Sequence, residues 1–224
     1  MPDSRQCRRC GTCCEKGGPV LHQGDRPFLK KGHVGMEQLQ VIRKGERAFN
    51  PFSAKVEPAP LEMIKIAVSG DTWECPFHQK TGEMSGCQIH AHRPLECRTL
   101  KCWDTKGIES ILFKDCLSRF DLIAENNPIH AMIVQHEQEC DYALLWQKVE
   151  AVKTGATPSC AGVQSILARD LAIRQELVER FKLSLQQELF YLGQPMFRAL
   201  RDTAFKVTFR QDVMSVRYVV EAEG

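Results

Sequence analysis

Four thiols fall within eight residues at Cys7-Arg8-Arg9-Cys10-Gly11-Thr12-Cys13-Cys14. A second group, Cys75, Cys87, Cys97 and Cys102, begins about sixty residues later. No other stretch has a comparable density of reactive side chains. A segment carrying so many thiols has little apolar periodicity to order it, so its conformation depends on what the sulfurs bind. Dense cysteines in a chain with no apolar signal core at Met1–Gln6 point to a cytoplasmic protein whose thiols hold metal rather than pair as disulfides. The odd total of 11 cysteines also fits poorly with a complete disulfide framework.

The remaining composition is that of an ordinary globular chain. With 224 residues, 43% of them hydrophobic and 26% charged, the chain can build a core without metal to rescue it. Its formal net charge of +2 is too balanced to indicate nucleic acid or an anionic membrane. No apolar run approaches the roughly twenty residues that a membrane-spanning helix needs.

Residues 1–18 and 72–103, rich in Cys, Gly, His and Pro, read as loops. Met36 to Arg43 reads as a short helix and Glu62–Val68 as a strand ending at Ser69-Gly70-Asp71. Thr81-Gly82-Glu83 and Ser85-Gly86 read as turns, and a short helix starts near Pro94. From Trp103 helical spacing takes over. Helices are expected from Ile111 to Glu125, from Ile129 to Lys153 and from Ser159 to Leu185. A fourth, Gln186–Leu200, is interrupted at Gly193-Gln194-Pro195. Phe205–Phe209 alternates as a strand and Val216–Val220 is its expected partner. The expected fold is α+β: an irregular cysteine-rich metal-binding half, residues 1–105, packed on a mainly helical C-terminal half, residues 106–224, in one compact unit.

Thiolates are soft ligands suited to zinc, copper(I) or iron–sulfur clusters. Cys-x-x-Cys lets one short loop present two sulfurs, and Gly11 lets the backbone fold between them. Side chains of neighbours such as Cys13 and Cys14 usually diverge, so the pair can serve two ions, bridge, or leave one thiol spare. Cys7, Cys10, Cys13, Cys14, Cys75, Cys87, Cys97 and Cys102 are the candidate ligands, enough for two four-sulfur sites or one site with thiols left over. Arg8, Arg9, Arg98 and Lys101 offset thiolate charge, and Arg93 and Arg98 are expected to lie against the sulfurs. His78, His90 and His92 sit among the second group as candidate ligands or hydrogen-bond donors to ligands. Cys116, Cys140 and Cys160 stand apart and read as core or surface thiols.

Cys7-x2-Cys10-x2-Cys13-Cys14, Cys75-Pro76-Phe77, Cys87-x-Ile89-His90, Arg93-Pro94 and Cys97-Arg98 resemble, in order, the CxxCxxCC cysteine-cluster family of the YkgJ type. The resemblance covers roughly residues 5–105 and implies chelation of zinc or iron. His90 stands where many members carry Tyr. One branch of that family, the flagellin lysine methylases, carries a similar cysteine pattern. Three functions follow: a protein chelating zinc or iron, the latter also as an Fe–S cluster; an iron- or Fe–S-dependent enzyme acting on a protein or peptide; or a zinc-stabilised interaction scaffold.

Overall fold

A computed structural model describes residues 7, 9–68, 74–81, 84–211 and 213–219. Arg8, the turn at Ser69-Gly70-Asp71, Trp73, Gly82-Glu83 and Val220 lie outside the described residues. The fold is α+β, with small antiparallel strand pairs in the cysteine-rich part and the long helices following.

A short helix α1, Arg26–Lys30, leads into β1, Leu39–Ile42. The helix expected from Met36 to Arg43 is therefore corrected: one 3-10 turn at Met36–Gln38 gives way to a strand. Leu39 and Val41 are buried while Gln40 and Ile42 are half-buried, a period of two that the β-branched pair favours. A hairpin follows, β2 (Arg47–Asn50) against β3 (Lys55–Pro58), and then β4, Met63–Ile66. β4 pairs antiparallel with β1, Leu39 opposite Ile66 and Ile42 opposite Met63.

The stretch 72–103 contains more regular structure than its composition indicates. β5 (His78–Thr81) pairs with β6 (Met84–Cys87), so that His78 stands opposite Cys87. α2, Leu95–Thr99, starts after Pro94 as expected, and α3, Lys106–Glu109, follows. Ile111–Glu125 is not a helix. Phe113 and Asp115 take positive φ, Leu117 donates to Leu21 O and its carbonyl accepts from Ile64 N, and only Arg119–Asp121 makes a 3-10 turn. The segment is drawn onto the edge of the β1–β4 sheet, where Leu117 is fully buried. Arg119 is buried as well, held by Glu62 and Glu137.

The expected helix Ile129–Lys153 is two helices, α4 (Pro128–Glu139) and α5 (Tyr142–Lys153). Cys140 is non-helical, and the Asp141 carboxylate accepts the N–H groups of Ala143 and Leu144, starting a new helix instead of continuing the old one. α6 (Ala161–Phe181) buries Val163, Ile166, Leu167, Asp170, Ile173, Arg174 and Leu177 along one face. α7 (Leu185–Leu192) begins with a Ser184–Gln187 capping box and ends at Gly193. β7 (Phe205–Arg210) and β8 (Val213–Tyr218) close the fold as a hairpin.

One buried cluster runs from Cys14, Leu21, Ile64, Ile66, Cys75 and Phe77 through Ile133, Leu167 and Leu192 to Phe205 and Val216. Polar ties reinforce it. Arg43, just after β1, reaches Glu137 on α4 at 2.6 Å and the Cys140 carbonyl at 2.8 Å. On α6, Asp170 accepts from Met196 N, and Arg174 donates to the carbonyls of Leu192, Gly193 and Gln194, satisfying the end of α7. The cysteine loops are thus set against a frame held by apolar packing and buried ion pairs.

Candidate metal centre

The first cysteine loop is a tight wrap around Gly11. Its carbonyl accepts from Cys14 N at 2.7 Å and Glu15 N at 3.1 Å, and its φ of 79° lies in the left-handed region that glycine tolerates. The loop is pressed onto β4 at Gly18, where an added Cβ would meet Ile66 O at 2.2 Å. The two cysteine groups are then joined directly: Cys75 N donates to Cys14 O at 2.8 Å. The β5–β6 hairpin carries Cys87 back beside them, and α2 supplies Cys97.

α2 is fixed by charges of its own. Leu95 N donates to Asp25 Oδ1 at 2.8 Å, and Glu96 Oε2 accepts from Val20 N at 2.8 Å. Glu96 also faces His22 Nε2 at 3.5 Å, while His22 Nδ1 contacts Lys114 O at 2.8 Å. The Glu96 hydrogen bond raises the His22 pKa above the ordinary imidazole value. Cys97 is thereby placed without any help from its own sulfur.

These segments enclose a cavity of two adjoining lobes. The inner lobe, about 150 Å³, is lined by Cys13, Cys14, Cys75, Cys87 and Cys97. The outer lobe, about 320 Å³, is lined by Cys7, Cys10, Cys13, Cys14, Cys87, Cys97 and Cys102. All eight candidate cysteines line one lobe or the other, and Cys13, Cys14, Cys87 and Cys97 line both. Cys116, Cys140 and Cys160 line neither, and Cys140 is fully buried where α4 meets α5.

The sulfurs form a chain rather than a point. Cys14 lies beside both Cys13 and Cys87. Its thiol holds Cys13 and Cys87 down to about 6 each, with the nearby Arg93 guanidinium acting in the same direction, whereas Cys14 itself is pushed up. Burial raises Cys75 and Cys97, and a contact with Thr12 lowers Cys10. A lone zinc held by four thiolates at about 2.3 Å needs sulfur–sulfur separations of about 3.8 Å. Among the described residues the one set of three or more Cys, His, Asp or Glu donors gathered within 4.8 Å of one another is Glu15, Glu74 and His78. The ring of sulfurs around the cavity is wider than one tetrahedral ion.

The polar surroundings match a thiolate-rich guest. Arg93 lines both lobes, and its Nε is buried without a hydrogen-bond partner. An orphaned cationic donor beside a row of thiols fits bound thiolate charge. Its Nη1 meets His90 Nε2, and His90, at the outer lobe, is held below the usual imidazole pKa by burial and by the charge of Arg93. Arg98 lines neither lobe; it donates to the Arg93 carbonyl at 3.2 Å and lies 3.8 Å from Asp25. His92 stacks on His33 at 4.3 Å and lines neither lobe. Lys65, half-buried on β4, adds a further positive charge near Cys75. Trp103 also lines the outer lobe and has no signature in the spacing of the cysteines. No stretch of the sequence marked Glu96, Asp25 and His22 as the anchors of α2, because they act across 70 and 74 residues.

The family model described as "CxxCxxCC: Putative zinc- or iron-chelating domain" matches residues 6–141. The chain belongs to the CxxCxxCC family. The match runs past residue 105 to take in Leu117, Arg119 and α4. No curated protein and no solved structure matches the chain. Among the described residues no helix is long and apolar enough to cross a membrane.

Proposed function

We propose that this CxxCxxCC protein chelates zinc or iron in a two-site thiolate centre. The carrying observation is that one two-lobed cavity is lined by cysteines of both sequence groups. Cys7, Cys10 and Cys102 line only the outer lobe, Cys75 only the inner, and four cysteines lie between. Three outer thiols with one shared, and one inner thiol with three shared, make two four-sulfur sites. That division uses both members of the Cys13–Cys14 pair. Arg93 is the cation that offsets the charge.

Chelation is favoured over a catalytic reading because the space beside the thiols is the thiol-lined space itself. Four thiolates per site serve zinc or an Fe–S cluster equally in donor type, and colour separates them: an anaerobically purified cluster protein is brown, a zinc protein colourless. Elemental analysis of anaerobically purified variants tests the assignment. Cys10→Ser and Cys97→Ser are expected to lower metal per chain, while Cys140→Ser leaves it unchanged. Equal loss in Cys140→Ser and Cys10→Ser would refute the ligand set.

A further inference from the structure

We propose a second, chemically distinct metal site on the outer side of the cysteine loop, formed by Glu15, Glu74 and His78 and built for a divalent cation of the manganese or ferrous type. The donor atoms of these three side chains all lie within 4.8 Å of one another. Two carboxylates alone would be an ordinary acidic patch. The imidazole makes the difference. The His78 side chain is only 1% exposed, and its Nδ1 is buried and forms no hydrogen bond, although it lies 3.4 Å from Glu74 Oε2. The other ring nitrogen, Nε2, contacts Ser85 Oγ at 2.8 Å. With the Nε2 proton donated to that hydroxyl, the Nδ1 lone pair faces the carboxylates, which is how a metal-binding imidazole is normally oriented.

The position is fixed by backbone. His78 N donates to Cys75 O at 2.8 Å, and the ring is packed under Gly11, where a Cβ would come within 2.4 Å of Nε2. Glu15 follows Cys14 in a 3-10 turn. Two oxygens and one nitrogen suit manganese, ferrous iron or zinc, whereas the thiols of the neighbouring cavity select softer ions. A cation already marks the place: Lys80 Nζ lies 3.0 Å from Glu15 Oε1 and 3.1 Å from Glu74 Oε1. Lys80 is exposed on a flexible stem, so its ammonium can leave when a divalent ion enters. The site therefore binds metal in competition with an internal lysine.

Mn²⁺ is the suitable probe, because thiolates disfavour it and carboxylates accept it. Protein carrying the metal it was purified with is titrated with Mn²⁺, and the electron paramagnetic resonance signal of free aqueous Mn²⁺ is followed. Wild type is expected to take up one equivalent. Glu15→Gln and Glu74→Gln, isosteric changes at the surface, should each weaken binding at least tenfold, and Lys80→Met should tighten it severalfold. The metal carried from purification should stay constant across these variants, which separates this site from the thiolate centre proposed above. If wild type and Lys80→Met bind no Mn²⁺, or if the glutamine variants bind it as wild type does, the cluster is an ion pair with Lys80 and the proposal is wrong.

Discussion

Arg93 shows how a single side chain can be read from both ends. The Arg-Pro pair before Cys97 stands out in the sequence, but its neighbour Arg98 stands out equally, and composition does not choose between them. The structure does: Arg93 lines both lobes with a partnerless Nε, while Arg98 points at Asp25 and supports the Arg93 carbonyl. Arg93→Ala is expected to weaken metal affinity by roughly 10- to 100-fold, the range for groups that orient ligands; Arg98→Ala should cost less. Competition with a chromophoric chelator measures both, and equal effects would contradict the distinction.

His136 is a second residue whose role only packing reveals. It is fully buried and 2.7 Å from Asp170, with Arg43 and Arg174 nearby. Burial brings its pKa down to about 4, below the ordinary 6.5, despite the Asp170 hydrogen bond acting upward. The unfolded chain thus binds the proton more readily, so this group's stabilising effect is present above about pH 6.5 and is lost as pH falls toward 4. The full effect is at most about 3 kcal/mol, at 1.36 kcal/mol per unit. Denaturation of wild type and His136→Gln across this range should show the wild-type advantage shrinking with acid. An advantage constant with pH would mean that His136 does not titrate differently on folding.

At the scale of elements, legibility followed periodicity. α6, α7 and β7 were readable because their apolar residues recur at clean spacing, whereas β8 begins at Val213, three residues before the expected Val216, because Val213 pairs with Arg210. The β5–β6 hairpin was not, since His78–Thr81 and Met84–Cys87 are short and polar and are defined by pairing instead. Ile111–Glu125 misled for the opposite reason. Leu117 and Ile123 do reach the core, but Leu117 gets there through hydrogen bonds to Leu21 and Ile64 that local sequence does not encode. The α4–α5 break at Asp141 was legible in principle, because aspartate is a strong N-cap wherever the preceding residue leaves the helix. Asp141→Ala should lower stability by about 1 kcal/mol, within the range for lost caps, as measured by urea denaturation. A change near zero would show that α5 is held by burial of Leu145, Val149 and Val152 alone.

Across the whole molecule, the thiol cavity was legible as a set of residues and illegible as a shape. Spacing identifies eight cysteines; only the fold shows two lobes with four thiols between them. The fold also separates what metal holds from what it does not. Leu21, Phe28 and Val34 are in the core, and α2 is tied to Asp25 and Val20 without metal. Ordering the remaining loops costs roughly 1–2 kcal/mol per residue, and structural zinc supplies roughly 10–16 kcal/mol in small peptides. Chelation should therefore expose residues 9–18 and 76–92 to protease while the helical circular dichroism persists. Resistance of those loops in metal-free protein would mean that the cavity is preformed.

The most direct test of the thiolate centre is X-ray absorption at the edge of whichever metal the anaerobically purified protein carries. A nearest shell of about four sulfurs per metal is expected, at about 2.3 Å if the metal is zinc, together with a loss of metal in Cys97→Ser. A nearest shell of nitrogen and oxygen, with the cysteines still reactive toward alkylating reagents, would contradict it.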